Sequence, residues 1–291
     1  MTQPAVRANP APNAAPRPTD DRPLSDREFQ QIAAMLYEDS GIHLPDGKAS
    51  LVHSRLCKRL RALGLESFRD YVALVSSDRG ADERRAMLSA LTTNVTRFYR
   101  EEHHFADVVE QMQAGWAEAA RKGARLRFWS SACSSGEEPY TLALTLLDAL
   151  PEAASLDVKI LATDIDPAII AKAERGVYGH AQVAAVPDRQ RQRWMTRSGE
   201  DYALGPEVRA LVSFRELNLM GQWPMKGPFQ AIFCRNVAIY FDADTQERLW
   251  SRFAPLLTAD GRLYIGHSER VGDARFEPSG QTAYKLKGGA R

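Results

Sequence analysis

Trp129-Ser-Ser-Ala-Cys-Ser-Ser-Gly-Glu-Glu-Pro-Tyr140-Thr141 is the stretch that decides the fold. It reads as the end of a buried strand, a tight turn of small residues, and a helix entered through two acids and a proline. This order gathers backbone N–H groups and the carboxylates of Glu137 and Glu138 at the carboxyl end of a strand, where open α/β sheets bind their ligands. The acids favour a ligand with a positive group over a bare phosphate, whose usual cradle is made of glycines, backbone donors and often a lysine.

Outward from this stretch, short β-branched or aromatic runs alternate with helical patterns. Strands are expected at Leu126–Trp129, Val158–Ala162, Val212–Glu216, Ala231–Cys234 and Arg262–Gly266. Helices are expected at Pro139–Ala149, Pro167–Arg175 and Ala243–Leu257, and Arg275–Lys287 could add an antiparallel edge strand. Such alternation predicts an α/β fold with a doubly wound, mainly parallel sheet over residues 93–291. The polar, irregular stretch at about 178–209 reads as a small β or mixed insertion subdomain. Residues 24–92 are helical throughout and predict a small all-α domain of three to five helices. Its first helix opens with a capping box of Ser25 and Glu28. Residues 1–23 hold six prolines, five alanines and almost no large apolar side chain, so they are expected to be disordered.

The 291 residues are 44% apolar and 26% charged, enough for one sizeable core and a small companion domain. A formal charge of +1 gives no global reason to expect nucleic acid. No apolar run approaches the roughly 20 residues that span a bilayer, and no signal-peptide core is present, so a cytoplasmic protein without membrane insertion is expected. Cys57, Cys133 and Cys234 lie far apart without metal-ligand spacing and read as reduced, buried thiols.

Asp164, in Thr163-Asp-Ile-Asp166, follows the second strand of the sheet. An acid there accepts two hydrogen bonds from ribose hydroxyls in nucleotide-binding α/β folds. Asp166, directly before Pro167, reads instead as a helix cap. The first loop carries Gly136 alone where a dinucleotide fingerprint needs three glycines, which favours a nucleoside without phosphates, such as S-adenosylmethionine. Leu91-Thr-Thr-Asn-Val-Thr-Arg-Phe-Tyr-Arg-Glu101 joins the two domains. It reads either as a capped helix start, with Asn94 or Thr96 as cap, or as the wall of a ligand cleft at a domain junction.

Together, Thr93–Arg100, Trp129–Tyr140, Thr163–Asp166, Asn218-Leu219, Ile232–Phe241 and Gly266-His-Ser-Glu269 resemble, in order, the motifs of the chemotaxis receptor methyltransferases, the CheR family of protein-glutamate O-methyltransferases. The resemblance runs from about residue 25 to the end. It implies a Rossmann-like class I methyltransferase domain that uses S-adenosylmethionine, releases S-adenosylhomocysteine and needs no metal. It implies cofactor contacts from Asn94, Thr96, Arg100, Glu137, Asp164, Asn218, Leu219, Cys234, Arg235 and Asn236. Glu137 would pair with the ammonium of the methionine moiety, and Asp164 would hold the ribose. Arg100 would neutralise either the cofactor's carboxylate or the substrate's. Tyr240 would lie near the transferred methyl group, which makes Arg100 and Tyr240 the catalytic pair.

The implied reaction is methyl transfer to glutamate side chains on cytoplasmic helices of chemoreceptors, for chemotactic adaptation, by a monomer. A carboxylate is already ionised at pH 7, so no general base is needed. The basic face of residues 48–63 opposes Val52, Leu56, Leu60 and Leu63. In the resemblance it offers Arg55, Lys58, Arg59 and Arg61 for docking acidic receptor helices. Thr196–Tyr202 has one glycine where some family members carry a glycine-rich, peptide-gripping loop, so docking without such a tether is expected. His103 and His104 read as a surface pair at a helix start. Two other readings keep the fold: a catalytically silent cofactor-sensing module and an NAD-dependent dehydrogenase. The lone glycine disfavours the second.

Overall fold

The computed structural model describes residues 22–288, so the tail expected to be disordered lies outside the described residues except for its last two. Four helices come first: α1 (Asp26–Ser40), α2 (Ala49–Leu63), α3 (Phe68–Val75) and α4 (Ala81–Leu91). The capping box forms as expected, with the Ser25 hydroxyl oxygen accepting from the Glu28 amide and Glu28 accepting from the Ser25 amide at 2.9 Å. Ile32, Leu36, Val52, Leu56, Leu60, Tyr71 and Met87 fill this domain's core. Leu63 departs from expectation: in the last turn of α2, before Gly64 ends the helix in the left-handed region, it is exposed.

α5 (His103–Gln111) and α6 (Ala117–Arg121) then lead into the sheet domain. There β1 (Leu126–Ser130), α7 (Glu137–Ala149), β2 (Val158–Asp164) and α8 (Pro167–Arg175) follow in strict alternation. The insertion holds β3 (Val177–Gly179), α9 (Asp188–Trp194), β4 (Met195–Ser198) and β5 (Asp201–Leu204). Its three strands form a separate antiparallel sheet, in which Ser198 pairs with Asp201 across a two-residue turn at Gly199-Glu200. The chain continues through α10 (Pro206–Leu211), β6 (Val212–Glu216), β7 (Phe229–Cys234), α11 (Ala243–Phe253), β8 (Leu257–Ile265), β9 (Phe276–Gly280) and β10 (Ala283–Leu286). Pro255 ends α11 earlier than the apolar pattern predicts, because it cannot donate to the helix ladder.

The main sheet has the order β6-β2-β1-β7-β8-β10-β9. Its first five strands are parallel, and β10 and β9 close it as an antiparallel hairpin. Neighbouring residues of β1 serve opposite faces: Phe128 packs in the layer with Phe105, Leu142 and Leu146, Trp129 in the layer with Ile232, Leu249 and Phe253. From β1 the chain crosses to β2 on one side and later to β7 on the other. The ends of β1 and β7 therefore form the switch point at which such sheets open a crevice. Cys57, Cys133 and Cys234 are buried and unpaired with one another. No helix of the described residues is long and apolar enough to cross a membrane.

Candidate active site

The crevice at the switch point is a cleft of about 1000 Å³, including its open mouth, between the helical domain and the strand ends. Three segments build it. After β1, Ser131 and Ser134 turn the chain back: the Ser131 amide donates to Phe233 O at 2.9 Å and the Cys133 amide to Thr163 O at 2.8 Å, stitching the loop to β7 and β2. Ser134 sits at φ 50°. Gly136 caps α7 at φ 96°, where a Cβ would lie 2.7 Å from the Tyr178 hydroxyl, so glycine is required.

After β2, each Asp164 oxygen accepts one backbone N–H: Oδ2 from Ser134 at 2.8 Å and Oδ1 from Asp166 at 3.1 Å. A carboxylate has about four acceptor sites, so one per oxygen is left for a vicinal diol. Burial raises its pKa and the backbone donors oppose the rise. Asp166 is the N-cap of α8, as its place before Pro167 predicts, and it also accepts from the Ser89 hydroxyl, tying the helical domain to the sheet.

After β7, Asn236 lies at φ 57° and Gly266 packs so close that a Cβ there would be 2.4 Å from Asn236 Nδ2. The buried Glu269 carboxylate holds this loop by accepting from the amides of Asn236, Ile239 and Gly266. Burial nevertheless raises its pKa. Tyr240 follows, lines the cleft, and its hydroxyl has no hydrogen-bond partner among the described residues. Left-handed backbone at non-glycine residues is costly. Four of its five instances among the described residues, at Tyr99, Glu101, Ser134 and Asn236, fall on the segments around this cleft.

Asn94, Thr96, Arg100, Asp164, Asn218, Leu219, Arg235, Asn236 and Tyr240 all line the cleft. Asn94 donates to Asp166 Oδ2 at 3.4 Å, and the Arg100 guanidinium to Val95 O at 2.9 Å. Asn218 is committed to the loop: Nδ2 donates to Asp39 O of α1, and Oδ1 accepts from the Met220 amide. Leu219 is left as the apolar wall.

Two expected contacts are not brought there. Cys234 is fully buried in the core layer with Trp129 and Ile232. Glu137, 2% exposed, turns away from the cleft, accepting from the Ser135 hydroxyl at 2.6 Å and from Gln182 at 3.3 Å. Its neighbour Glu138 lines the cleft instead. Adjacent helix positions point about 100° apart, and sequence gives no means of choosing which of two consecutive glutamates faces inward. The Glu138 carboxylate accepts from the Ser130 hydroxyl at 2.7 Å and meets the Arg235 guanidinium at 3.3 Å. Burial raises its pKa against the pull of Arg235. Arg235, its side chain only 2% exposed, spans from Glu138 to Glu101 at 3.1 Å and also donates to Arg100 O.

On α2, Arg55 donates to Leu91 O at 2.6 Å, Thr92 O at 2.8 Å and Thr93 Oγ1 at 2.9 Å, fastening the end of α4 and the start of the junction. Arg59 grips Glu83, which also accepts from Tyr71. Both guanidiniums thus have internal partners. Lys58 and Arg61 are exposed, with Arg61 Nε donating to Cys57 O at 3.3 Å.

His104 is not at the surface. It is fully buried, and Thr282 Oγ1 lies 2.8 Å from its Nε2 and 3.2 Å from that of half-buried His103. Burial, then Arg235 and His103, push the His104 pKa down to about 3. The folded state therefore binds fewer protons than the unfolded one between that value and the ordinary histidine pKa of about 6.5. Its contribution to stability is present above that window and lost as pH falls through it. His104→Gln is expected to flatten the decline of the urea midpoint from pH 6.5 to 4; an unaltered decline would count against His104 as its source. Among the described residues no group of three or more histidine, cysteine or acidic side chains is placed to hold a metal ion.

Residues 94–285 match the SAM-binding domain of CheR methyltransferases, and residues 27–92 match the family's all-alpha domain. A probable chemotaxis protein methyltransferase of Rhizobium etli is 50% identical over 258 residues, covering 86% of this chain and 96% of that protein. The chemotaxis protein methyltransferase of Klebsiella aerogenes is 44% identical over 271 residues, 91% of each chain. That of Escherichia coli is 41% identical over 275 residues, 92% of this chain and 93% of that protein. With carboxylate, guanidinium and amide groups converging on one cleft at the switch point of a doubly wound sheet, and with both family domains matched in order, the chain belongs to the CheR family of S-adenosylmethionine-dependent methyltransferases.

Proposed function

We propose that this protein methylates glutamate side chains on the cytoplasmic helices of chemoreceptors, giving glutamyl methyl esters for chemotactic adaptation. The observation that carries the proposal is the meeting of Arg100 and Tyr240 with Asp164 and Glu138 in one cleft. The cofactor supplies the methyl group and leaves as S-adenosylhomocysteine. Asp164 holds the ribose hydroxyls and Glu138, rather than Glu137, faces the ammonium. Asn94, Thr96, Asn236, Asn218 and Leu219 complete the cradle. A substrate carboxylate arrives ionised, so no side chain has to take a proton. Arg100 and Tyr240 hold and orient it, and catalysis is alignment together with removal of water from the nucleophile. On α2, Lys58 and Arg61 present the docking charge, while Arg55 and Arg59 keep the helix fastened beside the cleft.

The test is to mix the protein with methyl-labelled S-adenosylmethionine and receptor cytoplasmic fragments, then collect base-labile label as methanol. Cofactor binding without transfer to any receptor would favour the silent sensing module. Calorimetry on two variants separates the glutamates: Glu138→Gln is expected to weaken cofactor binding about tenfold, the scale of one charge-assisted hydrogen bond, and Glu137→Gln to leave it within about twofold. The reverse ranking would return the ammonium to Glu137.

A further inference from the structure

The junction that supplies Asn94 and Thr96 has a second face. Residues 93–97 run without helix or ladder, and their exposure alternates: Thr93, Val95 and Arg97 are exposed, Asn94 and Thr96 half-buried. Side chains two apart on an extended chain share a side. All five line the cleft, so the exposed set forms its rim. Val95 is 77% exposed, and Ile239, 47% exposed, sits in the short turn that carries Tyr240.

A single exposed aliphatic residue needs no explanation. Here Val95 lines the cleft and Ile239 adjoins its lining residue Tyr240, and between Val95 and the catalytic Arg100 stands a cation that no described residue neutralises. Arg100 donates to a carbonyl and Arg235 lies between two carboxylates, but Arg97 has no hydrogen-bond or ion-pair partner among the described residues. An unpaired guanidinium beside exposed apolar side chains is the composition of an interface rim waiting for an acidic partner.

We propose that Arg97 is a specificity-determining residue: it binds a second carboxylate of the substrate segment, close to the glutamate being methylated, while Val95 and Ile239 cover small apolar side chains of the same segment. This rests on the reading that the site methylates glutamate side chains. The occupant is an acidic polypeptide segment, because the reacting group itself is a carboxylate and the rim offers positive charge and aliphatic surface.

Initial rates with a receptor cytoplasmic fragment test it. Arg97→Ala is expected to raise KM for the fragment about tenfold at low salt, with kcat at saturation and cofactor affinity unchanged, and Arg97→Lys to recover most of the loss. High salt should shrink the difference. Changing the acids around the target glutamate to glutamine one at a time should identify one whose loss costs the wild type that same factor and costs Arg97→Ala nothing more. Transfer by the wild type with an unchanged KM in Arg97→Ala, or losses that simply multiply for every substrate acid, would overturn the Arg97 contact alone. No transfer by the wild type would overturn the glutamate reading and the contact with it.

Discussion

Replacing Asp164 by alanine is expected to weaken S-adenosylmethionine binding about a hundredfold. The proposed diol contact contains two hydrogen bonds to a charged acceptor, each worth about 1.5–3 kcal/mol when the acceptor is removed, and tenfold in affinity is about 1.4 kcal/mol. The same carboxylate also anchors the Ser134 and Asp166 amides, so alanine would free two backbone donors and let the loop after β1 relax. Asp164→Asn keeps the shape and one acceptor oxygen and should lose less. Calorimetry with cofactor and product checks both variants; an unchanged affinity in Asp164→Ala would remove this residue from the ribose site.

A second large effect is expected at Arg235, which is buried between two carboxylates. Arg235→Met leaves Glu101 and Glu138 without their shared cation in a site that water barely reaches. Breaking such a group by removing one partner costs about 3–5 kcal/mol. Replacing the whole set, as Arg235→Met with Glu101→Gln and Glu138→Gln, should recover most of the stability while activity stays lost. The pH dependence follows from Glu101. Burial pushes its carboxyl up, but Arg235 and the His267 amide outweigh this and bring it down to about 2. A depressed pKa contributes stability above the unfolded value of about 4.3, lost as pH falls through about 2. Without Arg235 that contribution disappears, so the gap between variant and wild type should narrow as the solution is acidified. Urea melts from pH 7 to 2, through the window between about 4.3 and about 2, measure this. A single variant within about 1 kcal/mol of wild type, or a gap that widens in acid, would contradict the account.

Sequence determined the layers of this protein because periodicity is a local signal. The alternation of β-branched runs with amphipathic stretches, the Ser25–Glu28 capping box and the lone Gly136 between strand and helix are each set by neighbours within a few residues. The same local logic made Asp166 a cap and Asp164 something more. What it could not decide was where side chains at the ends of these elements point. Glu137 and Glu138 differ by one helix position, and only the packing of α7 against the insertion, where Gln182 meets Glu137, turns Glu138 to the cleft. Arg55 and Arg59 look like a free basic face until α4 is folded beside α2 and supplies carbonyls and Glu83. His104 looks exposed until β10's neighbour Thr282 covers it. These contacts join residues far apart in the chain. Their geometry depends on how whole elements dock, which tertiary packing alone decides.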